Sequence, residues 1–294
     1  MASRWAELSV ILRGIDFPLV IVSVALAILA NACAVFAWGQ IWPGFGIHFS
    51  LRASIKYFFV SQAGKYLPGS VWSIAAQAQL TTRWRIPVLT SVIVGLLALA
   101  VSMMVALVIG SASVLFLGDA ILGAYWWVSS LALAAIVALS PPVMTRLIRL
   151  VLRVLRRPAS LDGLSWARTA RVTALNVGFW VIVGTHFWVI LVALGADPLE
   201  SLLPAIAGFA IAFALGVLFV PAPAGAGVRE AALVFFLAES VGPTDALAAA
   251  LVSRVVLAAV DIGLAGIGAS LSVEEGAVQV NLRAPDKGEG PQFR

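Results

Sequence analysis

Apolar residues run along this chain in unbroken stretches rather than in stripes. Residues 17–41, 86–110, 121–144, 172–194, 202–220 and 246–271 are almost wholly Ala, Leu, Val, Ile, Phe, Trp and Gly. A helix at a protein–water boundary keeps one polar face, whereas a run that is apolar all round and about 20 residues long suits a bilayer crossing. Stretch 49–67 differs: Arg52, Lys56 and Lys65 interrupt it, while Tyr57, Phe58, Phe59 and Val60 suit a membrane. It reads as a crossing or as a re-entrant arm. The pattern predicts an all-α polytopic integral membrane protein of about seven transmembrane helices.

Two places break the apolar pattern in the same way. The first is Gly64-Lys65-Tyr66-Leu67-Pro68-Gly69, with Trp72 close behind; the second holds Pro221, Pro223, Gly225 and Gly227. Proline removes a backbone donor and glycine loosens a helix, so such backbone survives at membrane depth only inside protein or beside a wet cavity. Both are predicted to be re-entrant turns. Each is followed by a short stretch and then a full-length run, which suggests an internal repeat whose orientation, inverted or parallel, stays open. Two unrelated kinks in surface loops are the plainer alternative.

Composition agrees: 62% of the 294 residues are hydrophobic, 11% are charged and the mean hydropathy is +1.03. A soluble chain could not hide that much apolar surface. Residues 1–271 read as a single transmembrane domain and 272–294 as a short, flexible polar tail. The run through Ala30-Asn31-Ala32-Cys33 faintly resembles a lipoprotein cleavage site, but apolar residues continue to Trp38, as in an uncleaved anchor. Cys33 is the single cysteine, and His48 and His186 are the two histidines, so no intramolecular disulfide, metal site or cofactor is expected.

Lys and Arg number 19 against 14 Asp and Glu, a bias that suits anionic lipid headgroups better than nucleic acid. Arg146, Arg149, Arg153, Arg156, Arg157, Arg168 and Arg171 concentrate in one loop, so loop 145–171 is predicted to face the cytoplasm, in a cytoplasmic (inner or plasma) membrane. Arg83 and Arg85 then fall on the same side, with Asp197 and Glu200 opposite. Arg4 and Arg13 join the basic side if 49–67 crosses. Trp42, Trp84, Trp126, Trp127 and Trp166 read as interface anchors.

Arg254 and Asp261 lie inside an apolar run, where a central charge costs about 2.5–3.5 kcal/mol on insertion scales. Two helical turns place them on one face but about 10 Å apart, too far to pair. Each needs another partner, and Arg229 and Glu230, next to the second break, offer one of each sign. Arg229 with Asp261, Glu230 with Arg254, and Lys65 joining from the first break are the pairings considered. A purely structural ion network is one reading; an anion site in a polar cavity is the other, with arginine forks and the helix start after Gly227 suited to a phosphate-bearing lipid. His186, Asn31 and Asn176 read as packing or interhelical glue.

No P-loop, nucleophile elbow or metal-binding helix occurs. In their order, Gly64-Lys65-Tyr66-Leu67-Pro68-Gly69 with Trp72, Pro221, Pro223, Gly225 and Gly227 with Arg229-Glu230, and Leu251 and Arg254 with Asp261 resemble the lysylphosphatidylglycerol synthase transmembrane-region family. The resemblance implies a stand-alone flippase-like domain that translocates an anionic or polyprenyl-phosphate-linked lipid. Lys65, Arg83, Arg229 and Arg254 would bind the headgroup; Glu230 and Asp261 would hold the cations and carry coupling protons. A homo-oligomer or cell-envelope assembly enzymes would be its protein partners. The family's basic position after the first motif falls at Gln77 and Gln79 here, a departure that lowers the positive charge of the first half. A membrane-embedded glycosyltransferase or accessory subunit, and a scaffold that handles no lipid, stay open as alternatives.

Overall fold

Helices start where the sequence supplies caps. Ser50 and Ser165 accept from the amides of Ala53 and Arg168, each at 3.3 Å, and the Asp197 carboxylate accepts from Leu199 at 2.8 Å and Glu200 at 3.0 Å. The computed structural model describes residues 14–67, 71–114, 126–140, 142–146, 150, 165–219 and 225–281. Its helices are α1 (Phe17–Ile41), α2 (Leu51–Gln62), α3 (Trp72–Thr81), α4 (Val88–Val114), α5 (Trp126–Leu139), α6 (Trp166–Ala193), α7 (Pro198–Leu218), α8 (Val228–Val241) and α9 (Pro243–Ser270). The chain is an all-α polytopic membrane protein.

Among the described residues, α1, α4, α6, α7 and α9 are long and apolar enough to cross a membrane, against about seven expected. The difference has two sources. Stretch 49–67 does not cross: α2 has 12 residues, about 18 Å, and then tightens into a 3₁₀ turn, Ala63–Tyr66. Stretch 121–144 is described only in part, and its α5 is a shorter apolar helix.

Small residues let α1 and α6 pack closely along their length. Ser23, Ala27 and Ala30 are buried on α1, and Gly178 meets the Cys33 sulfur, where an added Cβ would lie 3.6 Å away. The two helices are antiparallel: the Asp16 amide donates to Ala193 O at 3.0 Å at one end, and Ile41 shares a small cavity with Thr169 at the other. Buried His186 ties α6 to both α1 and α9. Its Nδ1 faces Ser23 O at 2.9 Å and its Nε2 faces the Ser253 hydroxyl at 3.1 Å. A carbonyl only accepts, so Nδ1 carries the proton and Nε2 accepts from Ser253. This is the packed histidine expected.

Two short strands, β1 (Ile47–Phe49) and β2 (Val278–Val280), pair antiparallel with Ile47 opposite Val280. Within the polar tail 272–294, expected to be flexible, residues 278–280 pair in this sheet, with the Ser50 amide donating to Ala277 O and the Asn281 amide to Gly46 O. Residues 282–294 lie outside the described chain. Trp42, expected as an interface anchor, is fully buried against Trp38 and Phe49.

The pairing orients the bundle. β1 and β2 bring the end of α9 to the start of α2, where Lys56 Nζ donates to Leu271 O at 2.6 Å and to Ala269 O at 3.4 Å. A cation on the last carbonyls also opposes the helix dipole. Arg83 and Arg85 close the α2–α3 hairpin at this same basic end. The α7–α8 hairpin starts at Asp197 and finishes at Val241, at the opposite end, which carries Asp16, Asp197, Glu200, Glu239 and Asp245. Residues 14–16 therefore lie at the acidic end, which removes the condition under which Arg4 and Arg13, themselves outside the described residues, would join the basic side. The order long helix, broken hairpin, long helix occurs twice, as α1 to α4 and as α6 to α9. The second unit runs inverted relative to the first.

Candidate functional site

Arg254 and Asp261 sit about 17 Å and 27 Å along α9, a helix about 42 Å long, so both are far from either end. Each finds a carboxylate or cation on a broken hairpin. Arg254 Nη1 donates to Glu230 Oε1 at 2.6 Å, and Lys65 Nζ meets Asp261 Oδ2 at 2.7 Å. The Tyr66 hydroxyl donates to the same Asp261 oxygen. Of the pairings considered, Glu230 with Arg254 and the approach of Lys65 are observed; Arg229 with Asp261 is not.

Arg229 is different. Its guanidinium carbon stands 4.2 Å from the Phe209 ring centroid and 5.4 Å from that of Phe213. Among the described residues no carboxylate is within ion-pair distance of it. Two aromatic faces on α7 hold the planar group by cation–π attraction without neutralising it.

The breaks place these groups through close backbone contact. Gly225, at φ +70°, packs so tightly that a Cβ there would lie 2.8 Å from Gly216 Cα. In the first hairpin a Cβ on Gly64 would lie 2.8 Å from the carbonyl of Trp72, which opens α3 and is exposed. Gly227 precedes α8, and its amide donates to Glu230 Oε2 at 2.6 Å. The helix start expected to receive an anion thus already has one of its donors engaged by Glu230. Pro68, Gly69, Pro221 and Pro223 lie outside the described residues.

Between the hairpins lies a cavity of about 280 Å³. Lys65, Tyr66, Arg229, Arg254 and Asp261 line it, with the Phe209 and Phe213 rings. Three cations against Asp261 and the Arg254-bound Glu230 leave one positive charge, that of Arg229. Arg83 is not brought to this site: it is exposed at the basic end, its guanidinium 5.4 Å from the Trp84 ring. It closes the α3 hairpin in a 3₁₀ turn, Thr82–Trp84, six residues beyond Gln77, the last cavity-lining residue of that helix.

Several cavity-lining residues carry no charge to mark them in the sequence. Gln77, noted only as a departure from the family's basic position, is buried on the cavity wall; its Oε1 accepts from Trp38 Nε1 at 2.8 Å and its Nε2 donates to Ser91 O at 2.8 Å. A wholly polar side chain in an apolar setting was the available signal. Phe209 and Phe213 carried none, since aromatics in an apolar run look like core. Asn31 and Asn176 also line the cavity. They were read as glue between helices, yet each donates only within its own helix, to Ala27 O at 3.0 Å and to Val172 O at 2.9 Å.

No curated protein and no solved structure matches this chain. The family model described as the lysylphosphatidylglycerol synthase TM region matches residues 2–265, and the chain belongs to that family.

Proposed function

We propose that the cavity receives the phosphate-bearing headgroup of an anionic or polyprenyl-phosphate-linked lipid during translocation across the cytoplasmic membrane, while the tail stays in the bilayer. The observation that carries this is Arg229, a cation inside the bundle with two aromatic faces and no carboxylate partner among the described residues. A charge in hydrocarbon is retained only with compensation, and a phosphate oxygen pair fits the guanidinium fork. Family membership and the inverted pair of broken hairpins support the same reading.

Lys65 and Arg254 are the second and third cations of the site, each tied to a carboxylate that would release it on protonation. In this reading Asp261 and Glu230, which hold those cations, are the coupling groups. The glycosyltransferase alternative asks for a free carboxylate base near the phosphate. Asp261 and Glu230 are both already engaged by cations, which favours the transporter.

Lipid transport in proteoliposomes tests the proposal. Arg229→Ala is expected to slow transport by about 30-fold, the equivalent of one charge-assisted contact of about 2 kcal/mol, with the protein still monodisperse and helical. Unchanged transport by a folded Arg229→Ala protein would sink it.

A further inference from the structure

The remaining polar atoms of the cavity bear on which headgroup it takes. The Asn31 and Asn176 amide nitrogens are turned to backbone carbonyls of their own helices, which fixes the amide orientation because a carbonyl cannot receive anything but a donor. Each side chain therefore presents its Oδ1, a pure acceptor, and neither oxygen has a partner among the described residues. Both residues line the cavity that Arg229 enters. An acceptor in such a place is satisfied by a hydroxyl, of water or of a ligand that displaces it, or by an ammonium.

Charge separates these two. Among the described residues, the cavity-lining cation without an ion-pair partner is Arg229, whose charge one phosphodiester balances. An ammonium would need a carboxylate of its own, and Asp261 and Glu230 are taken by Lys65 and Arg254. A second cation would also face Arg229 across a cavity of about 280 Å³, where like charges repel.

We infer that the cavity is built for a headgroup with one phosphodiester charge and neighbouring hydroxyl donors, a polyol or sugar phosphodiester, and discriminates against aminoacylated headgroups. This rests on the phosphate reading above and names its substrate class. Arg229 takes the phosphate oxygens; Asn31 and Asn176 accept from the hydroxyls.

Binding of short-chain lipids to the purified full-length protein in detergent, followed through the fluorescence of cavity-lining Trp38 and by thermal shift, tests it. Four probes separate the terms: dihexanoyl phosphatidylglycerol, a short-prenyl phosphohexose, dihexanoyl phosphatidylmethanol, which has the charge without hydroxyls, and lysyl-phosphatidylglycerol. One or both hydroxylated monoanions are expected to bind at least about tenfold more tightly than phosphatidylmethanol and than the lysyl lipid. The tighter of the two identifies the source, glycerolipid or prenyl lipid. The Asn31→Leu, Asn176→Leu double variant is expected to lose the preference for the hydroxylated lipids over phosphatidylmethanol. If that variant does not fold, the wild-type series decides alone. Equal affinity for phosphatidylmethanol and both hydroxylated lipids, or tighter binding of the lysyl lipid, overturns this inference while leaving the phosphate reading standing. Failure of every anionic probe to bind overturns both.

Discussion

Gly225 and Gly227 stand two residues apart, both at positive φ, yet they answer to different constraints. At Gly227, φ +83° and ψ −48°, an added Cβ meets nothing within 4 Å, so alanine there suffers only backbone strain of about 1–3 kcal/mol. At Gly225, φ +70°, the same atom would press on Gly216 backbone at 2.8 Å, adding an overpacking cost of about 1–3 kcal/mol. Gly225→Ala is therefore expected to lower the thermal midpoint of the detergent-solubilised protein clearly further than Gly227→Ala. Equal shifts would mean that the Gly216–Gly225 contact does not set the position of α8 and its Arg229. At this scale the sequence was partly legible. Arg254 and Asp261 announced themselves as charges in an apolar run, and their need for partners followed from cost. Which partner each takes depends on where α8 and the Ala63–Tyr66 turn come to rest, and that is a tertiary property. The amide orientations of Asn31 and Asn176 were unreadable for the same reason.

Helix boundaries were the most readable feature, because unbroken apolar runs have abrupt ends. Stretch 17–41 is α1 to the residue, while 172–194 starts earlier, at Trp166, once Ser165 caps it. Stretch 49–67 stayed ambiguous because Arg52, Lys56 and Lys65 are compatible with either topology until Lys56 is seen on the carbonyls that end α9. That resolution makes a labelling prediction. In a Cys33→Ser background, single cysteines replacing exposed Asp16 and Glu200 should react with an impermeant maleimide from one face of the membrane. Those replacing exposed Ser50 and Arg85 should react from the other. If Asp16→Cys and Arg85→Cys label from the same face, α2 and α3 do not form a returning hairpin.

Across the whole molecule, charge is sorted by end and by depth. Arg83, Arg85, Arg168 and Arg171 gather at one end and Asp16, Asp197, Glu200, Glu239 and Asp245 at the other, an asymmetry of the kind that sets membrane orientation. Between them the two inverted units hold five charged side chains at the cavity, in two ion pairs and one aromatic cradle. Arg229, without an ion-pair partner among the described residues, is the proposed phosphate site of a lipid carrier. An experimental density map of the protein in nanodiscs containing hydroxylated anionic lipid tests that claim most directly. The expected map shows an elongated lipid with its phosphate against the Arg229 guanidinium, its head between Asn31 and Asn176, and its tail leaving the cavity for the bilayer. An empty cavity, with Arg229 drawn onto a carboxylate and ordered lipid only on the outer faces of the helices, would contradict it.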